Sequence, residues 1–307
     1  MDTLSPVILL SSDRCSETCR LTTFKVAVKV NSCYHPDLPK RLPGSYFLRN
    51  LIGCRALIFQ LVKRDFQQRY VGSAAGWIWG MIHPLVLLAS YWFIFGYILK
   101  VPLNKNLGGG NYVLFLFAGM LPWLLFNETL SRSTSSMQDQ ANLITKTVFP
   151  SEIVPISIFL SATVSHFLTV MLLFLVVAFV LHQVTFWLLL LPLCSALLGL
   201  FAVGLSWITS SLQVYLRDTV QVVTVILTFW YWVTPIMLPE SSFPAKTHLI
   251  VVLNPITYVT RCYRNVLLYA APPSLHDLAI LGAASACVFV LGGLFFRHMK
   301  RGFADVL

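Results

Sequence analysis

The chain has little charge. Of its 307 residues only 11% are Asp, Glu, Lys or Arg, against 57% hydrophobic and a mean hydropathy of +0.74. That balance excludes an ordinary soluble domain, in which about a quarter of residues are charged. Residues 153–216 contain no Asp, Glu, Lys or Arg at all, a run long enough for two helical crossings of a bilayer at about 20 residues each. Four more charge-free runs cover residues 73–99, 106–127, 219–239 and 278–296. With the longest run divided at His182 and Gln183, six spans are predicted, at about 73–99, 106–130, 153–181, 184–212, 219–239 and 275–296. Lipid offers the backbone no hydrogen-bond partner, so the spans are expected to be helices. The ten-residue alternation of a membrane barrel is missing. The expected fold class is all-α, with one polytopic domain over residues 73–300 and a short cytoplasmic end at 301–307.

Other absences narrow the function. The predicted spans hold almost no ionisable groups, only His83 and His166 lying well inside them, which argues against a proton- or ion-coupled carrier. No paired carboxylate, Ser/His/Asp set or metal cluster suggests an intramembrane enzyme. No Gly-Lys dipeptide occurs anywhere, so the chain lacks the phosphate-cradling loop of an ATPase. The seven cysteines form no disulfide framework. Cys15, Cys19, Cys33 and Cys54 fall on the expected cytoplasmic side, where thiols stay reduced. Cys194 and Cys287 sit in apolar runs, and Cys262 lies outside without an evident partner. Cys15 and Cys19 have no second ligand pair at zinc spacing.

The charge that is present fixes an orientation. With the amino terminus in the cytoplasm, the outer segments keep only Lys100, Lys105, Lys246, Arg261 and Arg264 of the 22 basic residues. The rest lie inside, as the positive-inside bias requires, and both termini are expected in the cytoplasm. The net charge of +10 follows from this topology and from anionic lipid, so no nucleic-acid partner is inferred.

Residues 1–45 have no signal-peptide pattern and are expected to form a mobile cytoplasmic tail. Phe24, Val26, Val28 and Val30 alternate with Lys25, Ala27 and Lys29 as a short strand would, with few partners. Residues 46–72 are expected to hold an amphipathic interface helix and its junction. Arg49, Asn50, Gly53, Ala56, Gln60, Lys63 and Arg64 share one arc, and Phe47, Leu48, Leu51, Cys54, Ile58, Phe59, Leu61 and Val62 the other, with Arg55 the exception. Such a helix lies along a membrane surface, its bases near lipid headgroups.

Between the fifth and sixth spans, residues 240–273 are too long and too apolar for a simple loop. Pro244, Pro255, Pro272 and Pro273 punctuate two helix-like pieces, at about 246–253 and 256–269. These read as re-entrant helices packed on protein or lining a cavity. Arg261 and Arg264 run against the charge trend and suit either an anionic group or carboxylate partners. Phe229, Trp230, Tyr231 and Trp232, followed by Tyr258, Tyr263 and Tyr269, suit the apolar faces of sugar rings, and equally an interfacial aromatic belt.

Residues 63–79 read Lys-Arg-Asp-Phe-Gln-Gln-Arg-Tyr-Val-Gly-Ser-Ala-Ala-Gly-Trp-Ile-Trp, with Pro84 after them. This resembles the opening signature of the ABC-2 type permeases that export polysaccharides, the group that includes O-antigen and teichoic acid exporters. Further segments match in the same order: Gly119-Met120-Leu121-Pro122-Trp123 with Phe126, Asn142-Leu143-Ile144 with Lys146, Phe149-Pro150 and Pro155, Arg217-Asp218, Thr234-Pro235, Leu253-Asn254-Pro255 with Tyr258 and Arg264, and Phe303-Ala304-Asp305-Val306-Leu307. The resemblance runs from about residue 46 to residue 307. It implies a homodimer of six-helix subunits in the inner membrane, around a path for lipid-linked polysaccharide. Two separate ATP-binding subunits dock below and hold ATP and Mg, while this chain binds no cofactor.

On that resemblance the polar segment 132–152 is the expected contact with the ATPase. Gln138, Asn142 and Lys146 recur there every fourth residue, as one helical face does. The junction holding Arg64, Asp65 and Arg69 is a second contact. Trp230, Tyr231, Trp232, Tyr258, Arg261 and Arg264 are expected at the translocation path or its external gate. An ABC-2 exporter of a small hydrophobic compound is the alternative, and an ion-coupled lipid-sugar flippase a third reading.

Overall fold

The computed structural model describes residues 53–70, 78–100, 112–146, 149–182 and 185–306. The tail, the strand expected near residue 24, Cys15, Cys19 and Cys33 lie outside the described residues. Among those residues every regular element is helical. In chain order they are α1 (Arg55–Tyr70), α2 (Trp79–Tyr91, prolonged by a π-helical stretch Trp92–Ile98), α3 (Tyr112–Asp139), α4 (Ala141–Lys146), α5 (Ile153–Leu181), α6 (Leu191–Tyr215, entered through a 3-10 turn Phe186–Leu190), α7 (Thr219–Val233), α8 (His248–Leu253), α9 (Pro255–Leu267), α10 (Leu275–Met299) and α11 (Phe303–Val306).

Among the described residues four stretches are long and apolar enough to cross a membrane: Tyr112–Asp139, Ile153–Leu181, Phe186–Tyr215 and Leu275–Gly302. Two more are apolar but shorter, Ile82–Ile98 and Thr219–Val233. The long charge-free run divides where the sequence suggested, because His182 takes a left-handed backbone (φ 53°) and ends α5. Thr185 then caps the next turn by accepting from Trp187 N.

The second span departs from expectation at its lower end. In place of a loop after residue 130, α3 runs on as one helix to Asp139. Its polar residues are accommodated by their own backbone: the hydroxyls of Thr129, Thr134 and Ser136 donate to Leu125 O, Leu130 O and Ser133 O. α3 is also the central post, with 83% of its apolar stretch buried against 28%, 50% and 17% for the other long helices.

α6 and α10 cross at glycines, where a Cβ on Gly292 would lie 2.1 Å from the carbonyl oxygen of Gly204. Small residues at such crossings let backbones approach and dispersion replace the missing hydrophobic drive. At the lower end a second core gathers Met137, Trp207, Phe296 and Phe303. Trp207 Nε1 donates to Glu152 O at 3.1 Å, and Lys300 pairs with Glu152 at 2.8 Å. These contacts fix the carboxyl-terminal turn against the start of α5.

Candidate functional site

Among the described residues the apolar bundle is broken by a polar junction where α1 meets the spans and by another where α7 meets α8 and α9. At the first, α1 runs alongside α5, and its buried face is Ile58 and Leu61, continued by Cys54 just before the helix. Phe59, assigned to the apolar arc by periodicity, is 69% exposed. Asp65 accepts from the Ser161 hydroxyl and from the Arg132 guanidinium. Arg69 lies 3.4 Å from Asp65 and 2.6 Å from Glu128, which Arg132 also approaches at 3.5 Å. Two acids and two bases thus tie α1 to α3, and Ser161 ties them to α5. Burial pushes the Asp65 carboxyl up, but the hydrogen bonds from Ser161 and Arg132 and the charges of Arg132 and Arg69 outweigh it, leaving it below the ordinary value. A polar cleft of about 400 Å³ opens beside this network and is lined by Arg64, Asp65 and Arg132.

An isolated exposed pair contributes about 0–1 kcal/mol, so the effect of this network is expected as coupling between its members. In a cycle of Asp65→Asn, Arg132→Gln and the double variant, thermal unfolding should give a non-additive term of about 0.5–1.5 kcal/mol. Strict additivity would mean the pair does not couple α1 to α3.

The expected row of Gln138, Asn142 and Lys146 does not lie on one helix. α3 ends at Asp139, a turn at Gln140 follows, and α4 restarts at Ala141. Gln138 turns inward: its amide donates to Gln213 O and its carbonyl accepts from Gln213 Nε2, both at 3.1 Å. Asn142 is exposed on α4, and Lys146 is that helix's last residue.

At the second junction Asn254 is the hub, a role not foreseen from its motif. Its Oδ1 caps α9 by accepting from Ile256 N at 3.1 Å and also accepts from Trp230 Nε1 at 3.0 Å, while Nδ2 donates to Thr234 Oγ1 at 2.8 Å. An Asn followed by Pro is the signature of a helix start, which was the available signal. Asn254→Ala loses the cap, about 1 kcal/mol, and leaves the partly buried Trp230 indole N–H without its acceptor, about 1 kcal/mol more. We expect a lower unfolding temperature and faster proteolysis between residues 239 and 254, with Asn254→Asp milder than Asn254→Ala. Equal stability of all three would remove the hub.

The aromatic residues separate. Trp230 packs edge-on against Phe126 (5.3 Å) and Phe201 (6.2 Å), and Tyr231 sits 5.6 Å from Trp123. Trp232 is 65% exposed. Tyr258 is buried, its hydroxyl donating to Val252 O at 2.7 Å.

Both arginines have partners inside the chain. Arg261 pairs with Glu240 and, at 3.2 Å, with Asp277, and lies over the Tyr258 ring at 5.2 Å. The hydrogen bond that it donates to Glu240 raises its pKa, and the charges of Glu240 and Asp277 add to this against the effect of burial. Arg264 is buried without a carboxylate among the described residues. It donates to Ile236 O at 2.8 Å and Phe115 O at 3.3 Å, and stacks 3.6 Å from the Phe115 ring centre. Cys262, expected outside without an evident partner, is a free thiol fully buried in the core, as is Cys194.

These long apolar helices, tied by two polar junctions, define a multi-pass helical membrane protein. Residues 56–268 match the family described as ABC-2 type transporter, and the chain belongs to that family. It is 27% identical over 261 residues to the O-antigen export system permease protein RfbA of Myxococcus xanthus, covering 84% of this chain and 98% of that one. A protein of the same name from Klebsiella pneumoniae is 27% identical over 253 residues, 82% of this chain and 95% of that one. The polysialic acid transport protein KpsM of Escherichia coli is 24% identical over 211 residues, 68% and 80% of the two chains. The chain is therefore a transport component, a permease.

Proposed function

We propose that this permease moves lipid-linked polysaccharide out across the cell inner membrane, driven by a separate ATP-binding subunit. The observation that carries the reading is similarity to O-antigen export permeases over 98% of the length of one of them. The missing Gly-Lys dipeptide supports a separate source of ATP hydrolysis. In this reading two copies of the chain and two ATP-binding subunits assemble. α2 and α7 complete six crossings, and both termini face the cytoplasm. α8 and α9 are re-entrant at the outer face, where Trp230, Tyr231, Trp232, Tyr258, Arg261 and Arg264 form or brace the gate. The exposed Asn142 of α4, with Arg64 beside the cleft on α1, meets the ATPase, and the Asp65–Arg132 network carries its motion to α3.

The test is a cysteine at Asn142 in a background whose other cysteines are serine. It should be labelled from the cytoplasmic side and crosslink to the ATP-binding subunit, while the chain alone hydrolyses no ATP. Labelling from outside would reverse the topology, and robust ATP turnover by the chain alone would overturn the division of labour.

A further inference from the structure

α10 is the least covered of the long helices, with 17% of its apolar stretch buried, and its open side changes chemistry along its length. Val290 (57% exposed), Leu294 (49%) and the exposed Arg297 recur at helical spacing on one stripe. Arg301, also exposed, follows in the 3-10 turn Lys300–Gly302 that prolongs the helix. The charge-free run 278–296 is close to the about 20 residues that cross the hydrocarbon of a bilayer. With that run in the hydrocarbon, Val290 and Leu294 lie at the depth of acyl chains, and Arg297 and Arg301 stand in the headgroup layer just past them.

The bases at this end are not alike. Lys300 is engaged by Glu152 at 2.8 Å. Arg297 and Arg301 have neither a carboxylate nor a hydrogen-bond partner among the described residues. Their backbone is nevertheless held in place. The Tyr215 hydroxyl donates to Met299 O at 2.9 Å, and Phe303 is buried with its ring 5.5 Å from that of Phe296. Two guanidinium groups are therefore presented about one helical turn apart, on a fixed support and directly beneath an apolar stripe. The guanidinium fork matches the oxygens of a phosphate. A headgroup that carries its own ammonium would bring a further positive charge to a place that already has two unpaired ones, so the pair selects a lipid with net negative charge.

We infer that this side of α10 is a binding site for an acidic phospholipid. Its phosphate is held by Arg297 and Arg301, and its acyl chains lie along Val290 and Leu294. The lipid is a resident of the bilayer, and the site does not depend on what the permease transports.

The test is native mass spectrometry of the detergent-purified permease, titrated with phosphatidylglycerol and with phosphatidylcholine of identical chains. Phosphatidylglycerol should bind about tenfold or more tightly, and excess inorganic phosphate, which lacks the chains, should not displace it. The double variant Arg297→Gln, Arg301→Gln should lose the preference. Arg55→Gln with Lys63→Gln removes the same charge from the exposed side of α1 and should keep it. If the first double variant does not elute as the wild-type species, Arg301→Gln alone is read, and it should lose most of the preference. Leu294→Cys, in a background whose other cysteines are serine, should not crosslink to a second copy under oxidation, because lipid covers that side. Equal losses in the two double variants would mean diffuse attraction of acidic lipid to a basic protein. Displacement by inorganic phosphate would mean a free-anion site, and an efficient crosslink at position 294 an interface between copies. Each of these, or an unchanged preference without the two arginines, would overturn the inference. No ATP-binding subunit or polymer is present, so the export reading stands or falls separately.

Discussion

Gly292→Leu is expected to abolish recovery of folded protein, and Gly292→Ala to lower it severely. Even the single Cβ of alanine would lie 2.1 Å from the Gly204 carbonyl oxygen. The obstacle is backbone on a neighbouring helix, so no side chain can move aside. Relief requires α6 and α10 to separate, and that crossing is among the tightest in the bundle. Overpacking costs about 1–3 kcal/mol even where side chains can shift. Gly282 on the same helix is the control, because the nearest atom to its added Cβ is Leu197 Cδ2 at 4.0 Å. Gly282→Ala should be neutral or stabilising by about 0.5–1 kcal/mol. Size-exclusion profiles and unfolding temperatures of the two alanine variants check this, and identical behaviour would show that the crossing is not close.

Gly119→Ala should destabilise, although alanine is the better helix former by about 1 kcal/mol. The new Cβ would stand 2.5 Å from Arg264 Nη2 and 3.1 Å from Thr260 Cγ2. Arg264 has little freedom to yield, being buried against the Phe115 ring and bonded to two carbonyls. α9 must then lift from α3, so the loss should exceed the gain in propensity. Arg264→Met supplies the decisive comparison, since a flexible thioether tolerates crowding. In that background Gly119→Ala should cost much less, a coupling measurable by a thermal double-mutant cycle. An unchanged cost would mean that Gly119 does not seat Arg264.

Much of the fold is legible in the sequence because lipid imposes one rule, that backbone bonds close within each span. Charge-free runs therefore located the long helices, and His182 marked the break between two of them. The short pieces around Pro255 were legible because Pro punctuates helices. Partnership was not. Asp65 and Arg69 stand together in the segment 63–79, yet nothing in the chain's order says that Glu128 and Arg132, more than fifty residues on, complete their network. Polar residues after a span suggest a loop with Gln138 facing outward; the helix instead continues, and its amide finds Gln213. Arg261 and Arg264 break the charge trend, and only tertiary contact reveals that carboxylates hold one and backbone carbonyls the other. Gly292 lies in an apolar run where a glycine at a crossing and a glycine facing lipid read alike.

The central claim is that this permease carries polysaccharide to the cell surface on energy from a separate ATPase. Its most direct measurement is the distribution of lipid-linked polymer in cells lacking the chain, compared with cells in which it is restored beside its ATP-binding subunit. Without the chain, polymer should accumulate on the cytoplasmic face and vanish from the surface; restoration should return it only when the ATP-binding subunit can hydrolyse ATP. Normal surface polymer in cells lacking the chain, with altered sensitivity to small hydrophobic compounds as the only change, would contradict the account.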